Sequence, residues 1–484
     1  MAPQSDSTVP AVLPKAFTGL TSDSRKVKPG YLFAALAGSR TDGARFLKDA
    51  VSRGAVAVLG APALAAEVAA LGVTFIPDAN PRLGLARHAA AFYDGQPDVV
   101  AAVTGTKGKS SIVAFLREIW TALGLSAASL GTVGVIGPSG ATPLRHTTPD
   151  PVEIHELLAK LKRDGVDHLA IEASSHGLDQ HRLDGVRVAG AGFTNITRDH
   201  MDYHPSFDDY LAAKLRLFGA VVRDGGVAVV NADAEHAGRF IAAAQARGLT
   251  LMTVGRKGEA IRLDRREDRG GAQALTLHHA GKIYHVELPL AGEFQASNAL
   301  VAAGLAIGLG ADAAKVFQAL AHLRGAPGRM EKVAFAKGGA PVYVDYAHTP
   351  DSLEKVLEAL RPHTAGRLHV VFGCGGDRDK GKRPLMGAIA VKLADDVIVT
   401  DDNPRSEDAA AIRREILAAA PGAREIGDRH DAIRAAVESL GPGDVLVIAG
   451  KGHETGQYIG GVTHPFSDRD EAVKAALAAG GRAA

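Results

Sequence analysis

The stretch Val103-Thr104-Gly105-Thr106-Lys107-Gly108-Lys109-Ser110-Ser111 has the residue types needed to hold a polyphosphate. It follows an apolar run and precedes a helix-like segment. Its backbone N–H groups and the positive end of the helix dipole can therefore face phosphate oxygens. Lys109 would neutralise the β- and γ-phosphates, and the Ser110 hydroxyl would ligate Mg2+. The spacing is Gly-x-x-Gly-Lys-Ser, two residues shorter than the general phosphate-loop pattern. Such a loop does not by itself separate a kinase from a GTPase or a ligase.

Other residues narrow the chemistry. Glu172 ends an apolar strand candidate, where a carboxylate is a hard ligand for Mg2+. His200, within Asp199-His200-Met201-Asp202-Tyr203-His204, offers a nitrogen ligand or polar contact to the same region. Asp402-Asn403-Pro404-Arg405 lies in a loop between strand and helix candidates. The planar fork of Arg405 suits a carboxylate bound through two hydrogen bonds.

These residues need a scaffold. From Val99 onward the pattern alternates: an apolar strand Val99–Val103, the Gly-rich loop, a helix from Ser110 to Leu123 stopped by Gly124, and strands Leu169–Ala173 and Val227–Asn231. That alternation predicts an α/β domain with a mainly parallel sheet. Beyond the cluster Gly325-Ala326-Pro327-Gly328 it resumes, with strand candidates Val342–Asp345, His369–Phe372, Asp396–Thr400 and Val445–Ala449, as in a doubly wound fold. The turn-like Tyr93-Asp94-Gly95-Gln96-Pro97 marks an earlier boundary. Three domains are expected, over 1–98, 99–327 and 328–484.

The bulk numbers agree with a folded multidomain chain: 484 residues, 46% hydrophobic and 23% charged. Net charge is +1, so no global field favours nucleic acid or an anionic membrane, and phosphate binding must be local. The single cysteine, Cys374, rules out an intramolecular disulfide and a Cys-based zinc cluster, and fits a structural thiol in a reducing compartment. Met1–Pro10 does not read as a signal peptide, and no apolar run approaches the roughly 20 residues of a spanning helix. A cytoplasmic enzyme with no membrane insertion is expected.

Taken together with four further blocks in order, the chain resembles the Mur ligase family. The blocks are His146-Thr147-Thr148-Pro149-Asp150, Glu172-Ala173-Ser174-Ser175-His176-Gly177-Leu178, Thr194-Asn195-Ile196-Thr197-Arg198 running into the Asp199–His204 cluster, and Asp345-Tyr346-Ala347-His348-Thr349-Pro350. The resemblance implies an N-terminal UDP-binding α/β domain, a central ATPase-like parallel-sheet domain and a C-terminal Rossmann-like domain that binds the incoming amino acid. It implies ATP and Mg2+, two ions, as cofactors, with Ser110, Glu172, His200 and an Nζ-carboxylated Lys214 as metal ligands. Lys109, Glu172, His200 and Lys214 would carry catalysis. A carbamate on Lys214 supplies the oxygen ligands that a plain ammonium lacks.

By the same resemblance, Asn298 lies near the adenine, Arg329 near the phosphates and Asp345 near the ribose. Thr147, Thr148, Ser174, Gln180 and Arg182 would hold a muramoyl peptide, with Ser22 or Ser24 and the loop from Ser39 to Gly43 at its UDP end. The Asp402–Arg405 block is similar to the signature of family members that add meso-diaminopimelate, whose distal end carries both a carboxylate and an amine. Arg383, Gly450 and Glu454 would support it, Glu454 pairing with the distal ammonium. The implied activity is that of a monomeric acid–amino-acid ligase joining meso-diaminopimelate to UDP-N-acetylmuramoyl-L-alanyl-D-glutamate in cell-wall precursor synthesis, releasing ADP and phosphate. Lysine lacks the distal carboxylate, so a site built on Arg405 disfavours a lysine-adding ligase. The muramoyl-type blocks disfavour a folylpolyglutamate synthase, and the full set of phosphate and metal residues disfavours a non-catalytic scaffold.

Overall fold

The computed structural model describes residues 17–38, 42–197 and 203–484. Its α/β architecture forms two compact units, one holding the described residues within 17–109, 120–252 and 308–310, the other residues 110–119, 253–307 and 311–484.

The first unit contains two sheets. In the N-terminal one, β1 (Gly19–Thr21), β2 (Tyr31–Ala35), β3 (Ala55–Gly60) and β4 (Thr74–Pro77) are all parallel, in sequence order. In the other, β11 (Val222–Asn231), β10 (Val188–Phe193), β5 (Val99–Thr104), β9 (His168–Glu172) and β6 (Ala127–Gly131) lie side by side and parallel. The antiparallel strands β7 (Gly134–Gly137) and β8 (Gly140–Thr142) extend its edge. Val100, Ala101, Ala102 and Val103 of β5 are fully buried. Covering both faces of a parallel sheet makes its inner strands continuous apolar runs.

The C-terminal ends of these strands carry the polar residues. β5 runs into the Gly-rich loop and the helix Lys109–Ala122, β9 ends on Glu172, and β10 leads into Thr194 and Asn195. Open parallel sheets place ligand sites at this edge, because side chains after the strands leave the core together.

The second unit contains an antiparallel meander, β13 (Ile261–Arg269), β14 (Ala272–His279) and β15 (Lys282–Leu288), with β13 also pairing in parallel to the end of β12 (Thr250–Gly255). The sequence pattern did not reveal this meander: its strands mix Arg, Asp, His and Leu too evenly to stand out from loops. The unit's main sheet has the order β20 (Arg424–Glu425), β19 (Asp396–Val399), β18 (Leu368–Phe372), β21 (Val445–Ala449), β17 (Pro341–Asp345), β16 (Glu331–Phe335), β24 (Arg482–Ala483). The first five are parallel, and apolar clusters cover both faces. The chain crosses over β21's place when it passes from β17 to β18 and returns to fill it later, so Asp345 at the end of β17 and Gly450 after β21 lie at neighbouring strand ends, with Asp402 after β19 on the far side of β18. A hairpin of β22 (Gly456–Ile459) and β23 (Val462–Pro465) stands beside them.

Cys374 is buried against the Met386 sulfur at 3.7 Å, and burial pushes its thiol up to about 12, which leaves it unreactive. Among the described residues, no helix is long and apolar enough to cross a membrane.

Candidate active site

In the first unit the Gly-rich loop is held from below by the strand beside it. Thr106 N–H donates to the Asn195 carbonyl at 2.9 Å and Lys107 N–H to Asn195 Oδ1 at 3.1 Å. Thr194 Oγ1 and Asn195 Nδ2 both donate to the Lys107 carbonyl, at 2.5 and 3.1 Å. Gly105 has φ 150°, and a β-carbon on it would collide with the Thr194 side chain. The glycine thus allows the close approach that fixes the loop. The Thr106 hydroxyl lies 2.8 Å from Tyr210 OH. Ser110 and Ser111 are buried at the start of the helix.

Two lysines converge on this loop. Lys109 Nζ donates to the carbonyls of Gly105 (2.9 Å) and Thr106 (3.0 Å), and Lys214 Nζ donates to the same Gly105 carbonyl at 2.8 Å. Lys214 is 1% exposed and its Nζ stands 4.6 Å over the Tyr210 ring. It belongs to the helix Phe207–Arg216, capped by Ser206, whose side chain accepts from Asp209 N–H.

Glu172 is also 1% exposed. Its Oε1 accepts from Thr132 N–H at 2.8 Å and its Oε2 from Thr132 Oγ1 at 3.2 Å. Gly131 must lack a side chain, because a β-carbon there would collide with this carboxylate. Thr132 Oγ1 continues to Thr147 Oγ1 at 3.0 Å. Thr148 Oγ1 donates to the Glu172 carbonyl (2.8 Å) and accepts from Ser174 N–H (3.1 Å). Ser174 caps a short helix by accepting from Gly177 N–H, so its hydroxyl is part of the turn as well as the site. Arg182 spans Thr148 O (2.6 Å) and Gln180 Oε1 (2.8 Å), and Gln180 Nε2 donates to Tyr203 OH at 3.0 Å. The six residues Thr147, Thr148, Glu172, Ser174, Gln180 and Arg182 therefore form one network. Thr132, which joins it through both backbone and side chain, carries no motif that sequence reasoning could use.

The N-terminal residues are more dispersed. Ser22 is exposed after β1, whereas Ser24 is buried and its hydroxyl bonds to Asp49. A groove of about 370 Å³ in the same N-terminal sheet region is lined by Leu36, Ala37, Asp42, Ala61, Asn80 and Arg82. Ser39 and His200 lie outside the described residues.

In the second unit, Arg329 places its guanidinium 4.6 Å over the Tyr346 ring, and Asp345 Oδ2 accepts from Met330 N–H at 2.7 Å. Asn298 is buried in the helix Glu293–Gly308, with Nδ2 donating to Gln295 Oε1 at 3.3 Å. A cluster forms around the Asp402–Arg405 loop. Asn403 Nδ2 donates to Glu454 Oε2 at 2.9 Å, and Gly450, at φ 116°, leaves room for the Asp402 carboxylate. Arg405 has φ 55°, and its backbone is fixed by the hairpin: Arg405 N–H donates to Tyr458 O at 2.9 Å and Arg405 O accepts from Gly460 N–H at 2.7 Å. Its Nη1 donates to Gly376 O at 2.7 Å. Pro404 is buried beside it.

Arg383 is placed differently from the rest. It is fully buried, with Nη1 on Glu415 (2.9 Å) and Nη2 on Glu407 (3.0 and 3.1 Å). That pairing, with the Arg383 hydrogen bond first among its causes, holds the Glu407 carboxyl down at about 2. The exposed arginine of the same segment is Arg378, close enough to Tyr346 to act on its phenol electrostatically.

Three Mur ligase models match in succession: the family's catalytic domain over residues 16–93, the middle domain over 103–306 and the glutamate ligase domain over 328–452. The chain belongs to the Mur ligase family. This Mur ligase is 59% identical over 97% of its length to the UDP-N-acetylmuramoyl-L-alanyl-D-glutamate–2,6-diaminopimelate ligase of Bradyrhizobium diazoefficiens, of which 96% is covered. It is 56% identical to the protein of the same name from Agrobacterium fabrum, over 95% of this chain and 93% of that one. A solved structure of a ligase with that name shares 34% identity over 96% of this chain and 95% of the other, with a TM-score of 0.72.

Proposed function

We propose that this Mur ligase joins meso-diaminopimelate to the D-glutamyl carboxylate of UDP-N-acetylmuramoyl-L-alanyl-D-glutamate, consuming ATP, in peptidoglycan precursor synthesis. The names of its relatives at 56–59% identity support the substrates. The observation that carries the amino-acid assignment is the loop cluster around Asn403, whose Nδ2 holds the Glu454 carboxylate while Arg405, two residues on, presents a guanidinium anchored on the Gly376 carbonyl. A distal end bearing both a carboxylate and an ammonium is complementary to that pair, and lysine would leave the Arg405 fork without its anion.

A free carboxylate is a poor acylating agent, so ATP transfers its γ-phosphoryl to the glutamyl carboxylate. The acyl phosphate is then attacked by the diaminopimelate amine, and phosphate leaves from the tetrahedral intermediate. Loop N–H groups and Lys109 stabilise the charge on the moving phosphoryl. Thr147, Thr148, Ser174, Gln180 and Arg182 orient the muramoyl peptide, and Arg329, Asp345 and Asn298 hold the nucleotide. The role first assigned to Arg383 passes to Arg378, because Arg383 has both terminal nitrogens on glutamates.

The residues present suit Mg2+ shared with substrate phosphates. Among the described residues no trio of His, Cys, Asp and Glu converges as a protein cage, while Ser110 and Glu172 offer hard oxygens. A carbamate on Lys214 would add two more, and it would replace the repulsion between the Lys109 and Lys214 ammoniums by attraction. Bound there, Mg2+ supplies charge neutralisation for phosphoryl transfer.

The test is phosphate release by the purified protein with ATP, Mg2+, bicarbonate and the UDP-muramoyl dipeptide, with meso-diaminopimelate or L-lysine as acceptor. Tripeptide formed with diaminopimelate alone is expected. A preference for lysine overturns the amino-acid assignment, and turnover with neither overturns the ligase reading.

A further inference from the structure

Beside the amino-acid cluster lies a lysine that no motif argument uses. Lys451 is fully buried, and its three N–H bonds reach the distant Asn403 Oδ1 at 2.9 Å and, in the turn that follows it, Glu454 Oε2 at 3.0 Å and the Gly456 carbonyl at 2.7 Å. Taking an ammonium out of water is tolerable only when it is paired and hydrogen-bonded, and here both conditions hold. Asn403 is likewise engaged at both ends of its amide. Its Nδ2 donates to Glu454 Oε2, and its Oδ1 accepts from Lys451 and from Tyr458 N–H at 3.1 Å.

Glu454 Oε2 therefore takes two charge-assisted or amide bonds from buried partners, while the side chain as a whole keeps 28% of its surface exposed. A glutamate has three rotatable bonds, and a free one would have to be ordered when a ligand arrives. Holding one oxygen in place aims the other in a fixed direction and removes that ordering cost from binding. The same ammonium ties Glu454 to the Asp402–Arg405 loop and to the first residue of β22, the strand that fixes the Arg405 backbone. One buried cation thus sets the spacing between the carboxylate and the guanidinium.

We infer that Lys451 is a positioning residue that presents Glu454 to the ammonium of the incoming amino acid and holds it in register with Arg405. The inference rests on the reading that this cluster binds the distal end of diaminopimelate. Lys451 touches no substrate atom; it acts through Glu454 and Asn403.

A double-mutant cycle on the full-length enzyme decides it. Lys451→Met keeps the unbranched stem of the side chain, one atom shorter, and removes all three donors. It is expected to raise the KM for diaminopimelate about tenfold, with the KM values for ATP and the UDP-muramoyl dipeptide within about twofold of the parent. Glu454→Gln raises the same KM, and the double variant is no worse than Glu454→Gln alone, because Lys451 works through that carboxylate. Effects that multiply, or a rise shared equally by all three KM values, overturn the inference. Thermal melting comes first, and if Lys451→Met is unfolded at the assay temperature, Lys451→Gln takes its place in the cycle. Should the parent enzyme prefer another amino acid, the diaminopimelate reading fails, and the cycle run with that acceptor still decides the role of Lys451.

Discussion

Lys214 Nζ reaches the carbonyl of Gly105 at 2.8 Å, the same oxygen that takes a hydrogen bond from Lys109. Two ammonium groups on one carbonyl in a buried setting repel, and a carbamate on Lys214 relieves this. Protein incubated with 13C-bicarbonate should show a carbamate carbon by NMR that Lys214→Arg lacks. Lys214→Ala should slow ATP-dependent turnover by about a hundredfold or more, as loss of a fixed charge near a phosphoryl does. A full-rate variant would remove Lys214 from the chemistry.

Arg405 is the residue proposed to select the acceptor. Its φ of 55° and its bond to Gly376 O fix where the guanidinium points. Arg405→Ala should raise the KM for diaminopimelate by roughly 10- to 100-fold, the effect of losing a charged hydrogen bond of about 1.5–3 kcal/mol. Arg405→Lys should not restore it, because an ammonium lacks the planar fork. Steady-state kinetics with varied diaminopimelate measure both.

Arg429 and Asp468 form a bidentate pair with both side chains fully buried, at 2.7 Å for each bond. Arg429 also donates to the carbonyls of Asp401 (3.3 Å) and Ala449 (3.0 Å), one residue before Asp402 and Gly450. Asp468→Ala strands the arginine and should lower the unfolding free energy by about 3–5 kcal/mol in a denaturant titration. An unchanged midpoint would contradict the pairing.

His155 is buried in the helix Pro151–Arg163, and that burial, with the nearby charge of Arg187, lowers its imidazole to about 4. The unfolded chain takes up this proton near pH 6.5 and the folded one does not until about 4. Its contribution is therefore complete above pH 6.5 and is lost as pH falls toward 4, by about 3 kcal/mol in all. His155→Leu should flatten the stability profile over that window, read by denaturant midpoints at successive pH values.

The amino-acid order alone was enough for the elements that are local in the chain. The Gly-rich loop, Glu172 at a strand end and the Asp402–Arg405 turn are each set by a few adjacent residues, and the apolar runs around them read as parallel strands within a residue or two of β5, β9, β18, β19 and β21. The meander β13–β15 escaped, because its stability comes from pairing across strands and not from an apolar run.

Which polar group faces a ligand and which faces the protein was decided only by tertiary packing. Arg383 and Arg378 are five residues apart and indistinguishable by type, yet one is sealed between Glu407 and Glu415 while the other is exposed. Thr132 under Glu172 and Lys451 under Glu454 have no signature of their own. Their partners lie tens of residues away or across a turn whose shape the rest of the sheet imposes. A buried hydrogen bond depends on the direction of donor and acceptor in three dimensions, and that direction is a property of the folded backbone.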